Sequence, residues 1–184
     1  MSTLVGLDLT GRRVVVVGAG AVGTRRARRL IEDGARVVLV DPSPSDDARR
    51  MASHGDVEVV ERGVAASDVD GAWLVVTATA DPALNAEVAQ WCLEGRTWCV
   101  NASDHEASAA STPAVAVVDD VQIAVNAGGD PRRAMALRDA VARDARSPAA
   151  ERVLVRARHA EVDDEALALT QLGARDVLFI DEIH

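Results

Sequence analysis

The chain has 184 residues and a net charge of −9, with 48% hydrophobic and 2% aromatic residues. This length suits one compact unit or a domain with a small appendage, and the hydrophobic content is too high for a disordered chain. The scarcity of aromatic rings argues against a platform for single-stranded nucleic acid, and the acidic balance argues against a phosphate-backbone binder. Every basic residue is Arg, which excludes Schiff-base chemistry on Lys and a P-loop lysine.

The first predicted elements form a βαβ unit of about thirty residues. Residues 14–17 are four consecutive Val, a pattern typical of a strand buried on both faces of a parallel sheet. A helix is predicted over residues 21–34, with Gly34 as its stop, and Arg36–Val40 is predicted as the second strand. One face of that helix is expected to bury four apolar residues: Val22, Ala27, Leu30 and Ile31.

The alternation of helix and strand continues to residue 100 and predicts an α/β, Rossmann-like doubly wound parallel sheet. Asp81-Pro82 is expected to begin a helix, because Asp caps helices and Pro suits their first turn. The remaining predicted elements are a helix at 46–54, strands at 57–60 and 72–77, a helix at 83–94 and a strand at 97–100.

The alternation of helices and strands ends near Pro113, after which a small α+β region is predicted. Ala114–Val118 and Val121–Val125 form a hairpin pattern, and a helix is expected from Pro131 to about Ala145. Ser147-Pro148 marks a boundary before a C-terminal tail, which holds a helical stretch at 163–172 and an apolar strand at 177–180. The expected divisions are therefore a sheet domain at 1–112, a dimerisation region at 113–146 and an extension of unknown role at 147–184.

The dimerisation region is expected to form a homodimer for two reasons. A two-stranded hairpin is marginally stable without a surface to pack on. The helix that follows places Ala134, Leu137 and Val141 on one stripe, which is a face that needs a partner.

Gly18-Ala-Gly-Ala-Val-Gly23 lies between the first strand and the first helix and fits the pattern G-x-G-x-x-G. There the first glycine allows a tight turn, the second lets a pyrophosphate approach the backbone, and the third allows helix and strand to pack closely. The phosphates of a dinucleotide are therefore expected to contact Gly18, Gly20, Ala21, Val22 and Gly23.

Asp41 ends the second strand, where a carboxylate would accept both hydroxyls of an adenine ribose. Its negative charge would repel a 2′-phosphate, so NAD is favoured over NADP as the cofactor. Asp-Pro is also common turn chemistry, and a role for Asp41 as a turn former before Pro42 stays open.

Four segments in chain order carry a resemblance to a known family. They are residues 11–23, residues 78–85 (Ala-Thr-Ala-Asp-Pro-Ala-Leu-Asn), residues 99–104 (Cys-Val-Asn-Ala-Ser-Asp), and Thr112-Pro113 followed by Gly128-Gly129 and Arg132-Arg133. Together they resemble the precorrin-2 dehydrogenase/sirohydrochlorin ferrochelatase family, the dehydrogenase module of siroheme synthase. The resemblance covers about residues 5–146 of the chain.

The resemblance implies NAD-dependent oxidation of precorrin-2 to sirohydrochlorin by a Rossmann domain with a small dimerisation region. Some family members also insert Fe²⁺, so Fe²⁺ or Co²⁺ is a further candidate substrate, and no resident metal is expected. Asp104 is implied as the catalytic base, with His105 as the other candidate base and Ser103 as the alternative alignment. The remaining implied contacts are Thr79 and Asp81 to the cofactor, and Asn101, Gly128, Gly129, Arg132 and Arg133 to the substrate.

The tetrapyrrole substrate carries many carboxylates, so an acidic protein needs a local cationic patch to bind it. Arg132 and Arg133 are the first candidates, because guanidinium groups pair bidentately with carboxylates, and Arg25 and Arg26 are the second. A solvated helix face or dimer salt bridges would explain the same arginines equally well.

Two other functions stay open from the sequence. One is a dinucleotide-sensing module without chemistry, and the other is a metallochelatase or tetrapyrrole holder with little dehydrogenase activity. The N-terminus shows no basic segment followed by an apolar one, and no apolar run reaches the 18 or so residues of a membrane span. The protein is therefore expected to be cytoplasmic, without a membrane or nucleic-acid partner.

Overall fold

The computed structural model describes residues 4–55, 57–102, 108–119, 121–145 and 181–182. The chain divides into two compact units. The first unit is Val5–Thr112, and the second consists mainly of the chain from Pro113 onward. Every helix in the described ranges is too short or too polar to span a lipid bilayer.

The first unit contains a five-stranded parallel sheet. Its strands are β1 (Arg13–Val17), β2 (Arg36–Val40), β3 (Glu58–Val60), β4 (Leu74–Thr77) and β5 (Trp98–Asn101). They lie in the order β3-β2-β1-β4-β5, and every neighbouring pair is parallel. From β1 the chain adds β2 and β3 on one side of the sheet and then β4 and β5 on the other. Ligands of such sheets bind at this switch point, beyond the carboxyl ends of the strands.

Helices cover both faces of this sheet, which confirms the predicted doubly wound fold. They are α1 (Ala21–Glu32), α2 (Asp46–Ser53), α3 (Pro82–Glu94) and a short 3-10 helix (Ala66–Val69). The side chains of β1 alternate between the two cores. Val14 and Val16 pack under α1 and α2, whereas Val15 and Val17 pack in the cluster that includes α3.

The prediction for the apolar face of α1 is wrong at its first residue. Val22 is 41% exposed, whereas Ala27 is fully buried. Gly23 and Thr24 take the place of Val22 in the interface, because the helix begins directly against the glycine turn, where small side chains fit. The helix stops where expected, and Gly34 has a φ of +82°.

The second unit contains the predicted hairpin and helix. β6 (Ala114–Val118) and β7 (Val121–Val125) pair antiparallel, and α4 (Pro131–Ala145) packs on them. A short strand, β8 (Asp181–Glu182), pairs antiparallel with the beginning of β7. The predicted helix at 163–172 and the apolar run at 177–180 lie outside the described residues.

Candidate dinucleotide-binding site

The glycine turn between β1 and α1 is closely packed at both of its ends. Gly18 has a φ of +99°, and a Cβ atom there would lie 2.8 Å from the backbone of Ala78. A Cβ atom on Gly23 would lie 1.7 Å from the carbonyl oxygen of Gly18. Packing within the protein therefore accounts for glycine at these two positions.

Gly20 differs from the other two glycines because a Cβ atom there would meet no atom within 4 Å. Its backbone is ordinary and extended, so neither strain nor packing requires glycine. Gly20 is the N-cap of α1, gives it no capping side chain, and is followed by a first turn without acidic residues. α2 and α3, in contrast, are capped by Ser45 and Asp81. An uncapped helix start with an open approach fits a phosphate group.

Hydrogen bonds hold the peptide groups on both sides of Ala19. Its N–H donates to Asp41 Oδ2 at 2.6 Å, and its carbonyl oxygen accepts from Thr24 Oγ1 at 3.1 Å. The N–H of Ser45 donates to the same carbonyl at 3.1 Å. Sequence reasoning missed Thr24 and Ser45, whose signal is a hydroxyl residue in the first turn of α1 and another at the cap of α2.

Asp41 is half-buried at the end of β2 and shapes the turn that follows. Its Oδ1 accepts from the N–H of Ser43 at 2.7 Å, while Oδ2 accepts from Ala19. The turn-forming role that the sequence left open is therefore present. Each ionised carboxylate oxygen can accept more than one hydrogen bond, so the same side chain keeps capacity for ribose hydroxyls.

Thr79 lies beside the glycine turn, because the Ala78–Thr79 peptide packs against Gly18. The Thr79 hydroxyl donates to Asn85 Oδ1 at 2.7 Å, and Asn85 Nδ2 donates to the carbonyl oxygen of Thr79 at 3.1 Å. Asn85 is fully buried and so fixes the orientation of Thr79. The sequence included Asn85 as the last residue of the 78–85 segment but assigned it no role.

Asp81 is the N-cap of α3, as the Asp81-Pro82 pair predicts. Its Oδ1 accepts from the N–H groups of Ala83 at 2.9 Å and Leu84 at 3.2 Å. One oxygen of the carboxylate is thus used by the helix. The implied contact of Asp81 with a cofactor stays a prediction.

Asn101 ends β5 and is 2% exposed. Its N–H donates to Ser108 Oγ at 2.9 Å, and the same hydroxyl donates to the carbonyl oxygen of Asn101 at 3.3 Å. Ser108 therefore ties the returning chain to the end of β5, at the carboxyl edge of the sheet. The candidate base Asp104 and the alternatives His105 and Ser103 lie outside the described residues.

The remaining candidate residues lie just before α4 and in its first turn, in the second unit. Gly128 and Gly129 have φ values of +62° and +91°, in the left-handed region that favours glycine. Asp130 Oδ1 accepts from the N–H groups of Arg132 and Arg133, each at 3.0 Å. Both arginines are exposed, and the first turn of α4 has no acidic residue.

The sheet order and the open glycine turn define a dinucleotide-binding α/β protein of the Rossmann type. The family model described as "Putative NAD(P)-binding" matches residues 5–114, more than half of the chain. The chain belongs to this family. The match confirms the expectation of a nicotinamide dinucleotide as cofactor, and it includes both NAD and NADP.

The chain is similar to curated proteins named siroheme synthase. It is 38% identical to that of Pseudomonas entomophila (strain L48) over 123 residues, and 38% identical to that of Pseudomonas putida (strain W619) over 125 residues. Each match covers 66% of this chain and 26% of the relative, so the chain spans about a quarter of their length. The resemblance that the four motifs carry is confirmed.

A solved structure named "SirC, precorrin-2 dehydrogenase" has the same fold. The two match with a TM-score of 0.70 at 23% sequence identity. The match covers 95% of this chain and 90% of that one. The overall architecture predicted from the sequence is thus found in a solved protein.

Proposed function

We propose that the chain is an NAD-dependent dehydrogenase that oxidises precorrin-2 to sirohydrochlorin, in cytoplasmic siroheme or cobalamin-type tetrapyrrole biosynthesis. One observation carries the proposal: a chain similar to siroheme synthases keeps an open approach to its glycine turn at Gly20. The oxidation removes a hydride and a proton from the macrocycle, and bound NAD⁺ would accept the hydride. A base on the protein must then accept the proton.

The proposed cofactor site uses both sides of the switch point. The backbone from Gly18 to Gly23 would bind the pyrophosphate, and Asp41 at the end of β2 would bind the adenine ribose. β4 lies on the other side of β1 from β2. Thr79 and Asp81, which follow β4, would therefore lie along the nicotinamide half.

Asp104 is our proposed base because it follows Asn101 by three residues. Asn101 ends β5 at the carboxyl edge of the sheet, where substrates of such folds bind. A carboxylate there would take the macrocycle proton beside the nicotinamide. His105 is the second candidate.

Arg132 and Arg133 are proposed to bind substrate carboxylates, with the Gly128-Gly129 turn shaping the approach to them. The start of a helix carries partial positive charge, so two cations there are unfavourable unless anions compensate. Asp130 supplies one such carboxylate. A bound substrate carboxylate would supply another. The implied substrate contact of Asn101, at the end of β5, is a separate proposal.

Titration with both cofactors is expected to show tighter binding of NAD than of NADP. Asp41→Asn should reduce this preference by roughly tenfold, because it removes the charge that repels a 2′-phosphate. The amide oxygen can accept from only one of the N–H groups of Ala19 and Ser43, so the melting temperature of the variant is measured alongside to show that the fold is retained. Asp46→Asn is the control, since it removes the same charge from an exposed position on α2. Equal affinities in the unmodified protein would remove Asp41 from its proposed role.

A homodimer through the second unit is expected at micromolar concentration in sedimentation experiments. Ala134 is buried within the unit, but Leu137 is 38% exposed and Val117 is 49% exposed. Leu137→Glu should give monomers, because a charge replaces an apolar side chain at the proposed contact. Ala136→Glu adds the same charge to another exposed position of α4 and should remain dimeric. A monomeric unmodified protein would contradict the proposal.

The proposed function is tested by incubating the protein with precorrin-2 and NAD⁺, with and without Fe²⁺ or Co²⁺, and following the absorption spectrum. Conversion to sirohydrochlorin that requires NAD⁺ is the expected result. A metal-dependent change without NAD⁺ would instead indicate a chelatase. Dinucleotide binding without any turnover would leave the sensing module as the function.

A further inference from the structure

Arg26 of α1 is a half-buried cation that none of the described carboxylates neutralises. Its Nη1 donates to Thr112 Oγ1 at 3.3 Å, while its Nε is buried and has no hydrogen-bond partner. Burial, with a smaller contribution from neighbouring Arg25, lowers the pKa of the Arg26 guanidinium. Burying an unpaired charge costs free energy. The fold therefore keeps an unfavourable group at this position.

Two other arginines of the first unit, Arg13 and Arg62, have donors used by the protein. Arg13 Nη1 donates to the carbonyl oxygens of Asp68 at 2.9 Å and Asp70 at 3.0 Å. Arg62 makes two hydrogen bonds of 2.7 Å to the Asp68 carboxylate, and this contact lowers the pKa of Asp68. Those side chains hold the 3-10 helix in place. Arg26 has no equivalent role beyond its contact with one hydroxyl.

The contact with Thr112 places the Arg26 guanidinium toward the β5 side of the first unit. Two residues before Thr112, the N–H of Ala110 donates to the carbonyl oxygen of Cys99 in β5 at 3.0 Å. Asp41 directly follows β2, which lies on the opposite side of β1. A dinucleotide lies across the switch point between these two sides. The contact with Thr112 therefore associates Arg26 with the β5 half of the sheet, where the nicotinamide would bind.

We propose that Arg26 binds a carboxylate of the tetrapyrrole substrate beside the nicotinamide, an assignment that rests on the proposed function. A guanidinium is suited to a carboxylate by charge and by its parallel N–H groups. The Nε atom is enclosed, so a ligand would pair with the terminal N–H groups of the half-buried side chain. A net charge of −9 repels a polycarboxylate, which makes a local cation necessary. Arg26 was a second candidate for substrate binding in the sequence, and its burial and contacts now distinguish it from Arg25.

The test compares Arg26→Gln with Arg28→Gln, which removes the same charge from an exposed position of the same helix. Arg26→Gln is expected to raise KM for precorrin-2 by about 10- to 100-fold, the scale of a lost charge-assisted hydrogen bond. Its NAD affinity and kcat should change little, and its melting temperature should not fall, because the unpaired cation is gone. Arg28→Gln should change none of these quantities.

Titration of sirohydrochlorin into the NAD-loaded protein, followed by tryptophan fluorescence, tests Arg26 without turnover. Weaker binding by Arg26→Gln, but not by Arg28→Gln, supports the assignment even if the unmodified protein fails to oxidise precorrin-2. In that case the proposed function alone fails. Absent binding, or equal binding by the unmodified protein and Arg26→Gln, overturns the assignment. Loss of NAD affinity by Arg26→Gln would also overturn the assignment and would indicate that the guanidinium binds the pyrophosphate. A lower melting temperature with unchanged KM would overturn it too, and would indicate that Arg26 stabilises the fold through Thr112.

Discussion

Asp104→Asn is expected to bind NAD normally and to lose the oxidation of precorrin-2 by roughly 10²–10⁴-fold, the scale for removing a positioned general base. The amide keeps the shape of the side chain but cannot accept a proton at neutral pH. Asp104→Ala should lose activity to a similar extent. NADH formation and the sirohydrochlorin spectrum report the turnover, and a separate NAD titration shows that the cofactor site is intact.

His105→Ala is the matched control, because His105 is the neighbouring candidate base. Its turnover should fall by less than about tenfold if Asp104 takes the proton. An active Asp104→Asn together with an inactive His105→Ala would move the proton transfer to His105. If both variants stay active, the base lies elsewhere in the protein, and Asp104 loses its proposed role.

The sheet and its helices could be predicted because each element has a pattern of its own. The four Val of β1 and the Asp81-Pro82 pair at the start of α3 are signals that depend only on neighbouring residues. Both elements form as expected. Strand starts were less accurate. The strand expected at 72–77 begins at Leu74, because the N–H of Ala72 bonds back to Val69 in the preceding turn and is not available to the ladder.

The contacts that organise the candidate site could not be predicted, because their partners are distant in the chain. Asp41 holds the N–H of Ala19, 22 residues earlier, and Ser45 contacts Thr24 across 21 residues. Local pattern shows a carboxylate after a strand and hydroxyls near two helices. It does not show that they meet at one turn. That meeting depends on how β1 and β2 pair in the sheet.

The glycine motif is intermediate between these cases. Its spacing predicts a phosphate-binding turn with a different role for each of the three glycines, but it does not show which neighbouring atoms enforce those roles. The contacts separate them, since Gly18 and Gly23 are required by neighbouring backbone atoms and Gly20 is not. The same separation makes cofactor binding and folding testable by different substitutions.

Gly20→Val is expected to abolish dinucleotide binding and to leave the fold intact. A Cβ atom at Gly20 meets nothing within 4 Å, and the extended backbone suits any residue. The new side chain would instead fill the space through which a pyrophosphate reaches the start of α1. The melting temperature without cofactor should change by less than about 4 °C, the shift that 1 kcal/mol gives in a protein of this size. Titration of NAD then measures binding directly.

Gly23→Ala provides the opposite pattern, because its Cβ atom would lie 1.7 Å from the carbonyl oxygen of Gly18. The backbone must move to accept it, so the free energy of unfolding should fall by about 1–3 kcal/mol or more, as in other overpacked sites. Thermal unfolding without cofactor distinguishes the two variants, since Gly23→Ala should melt lower and Gly20→Val should not. Normal NAD affinity in a folded Gly20→Val protein would show that the phosphates bind away from this turn, and the cofactor site would then have to be placed elsewhere on the sheet.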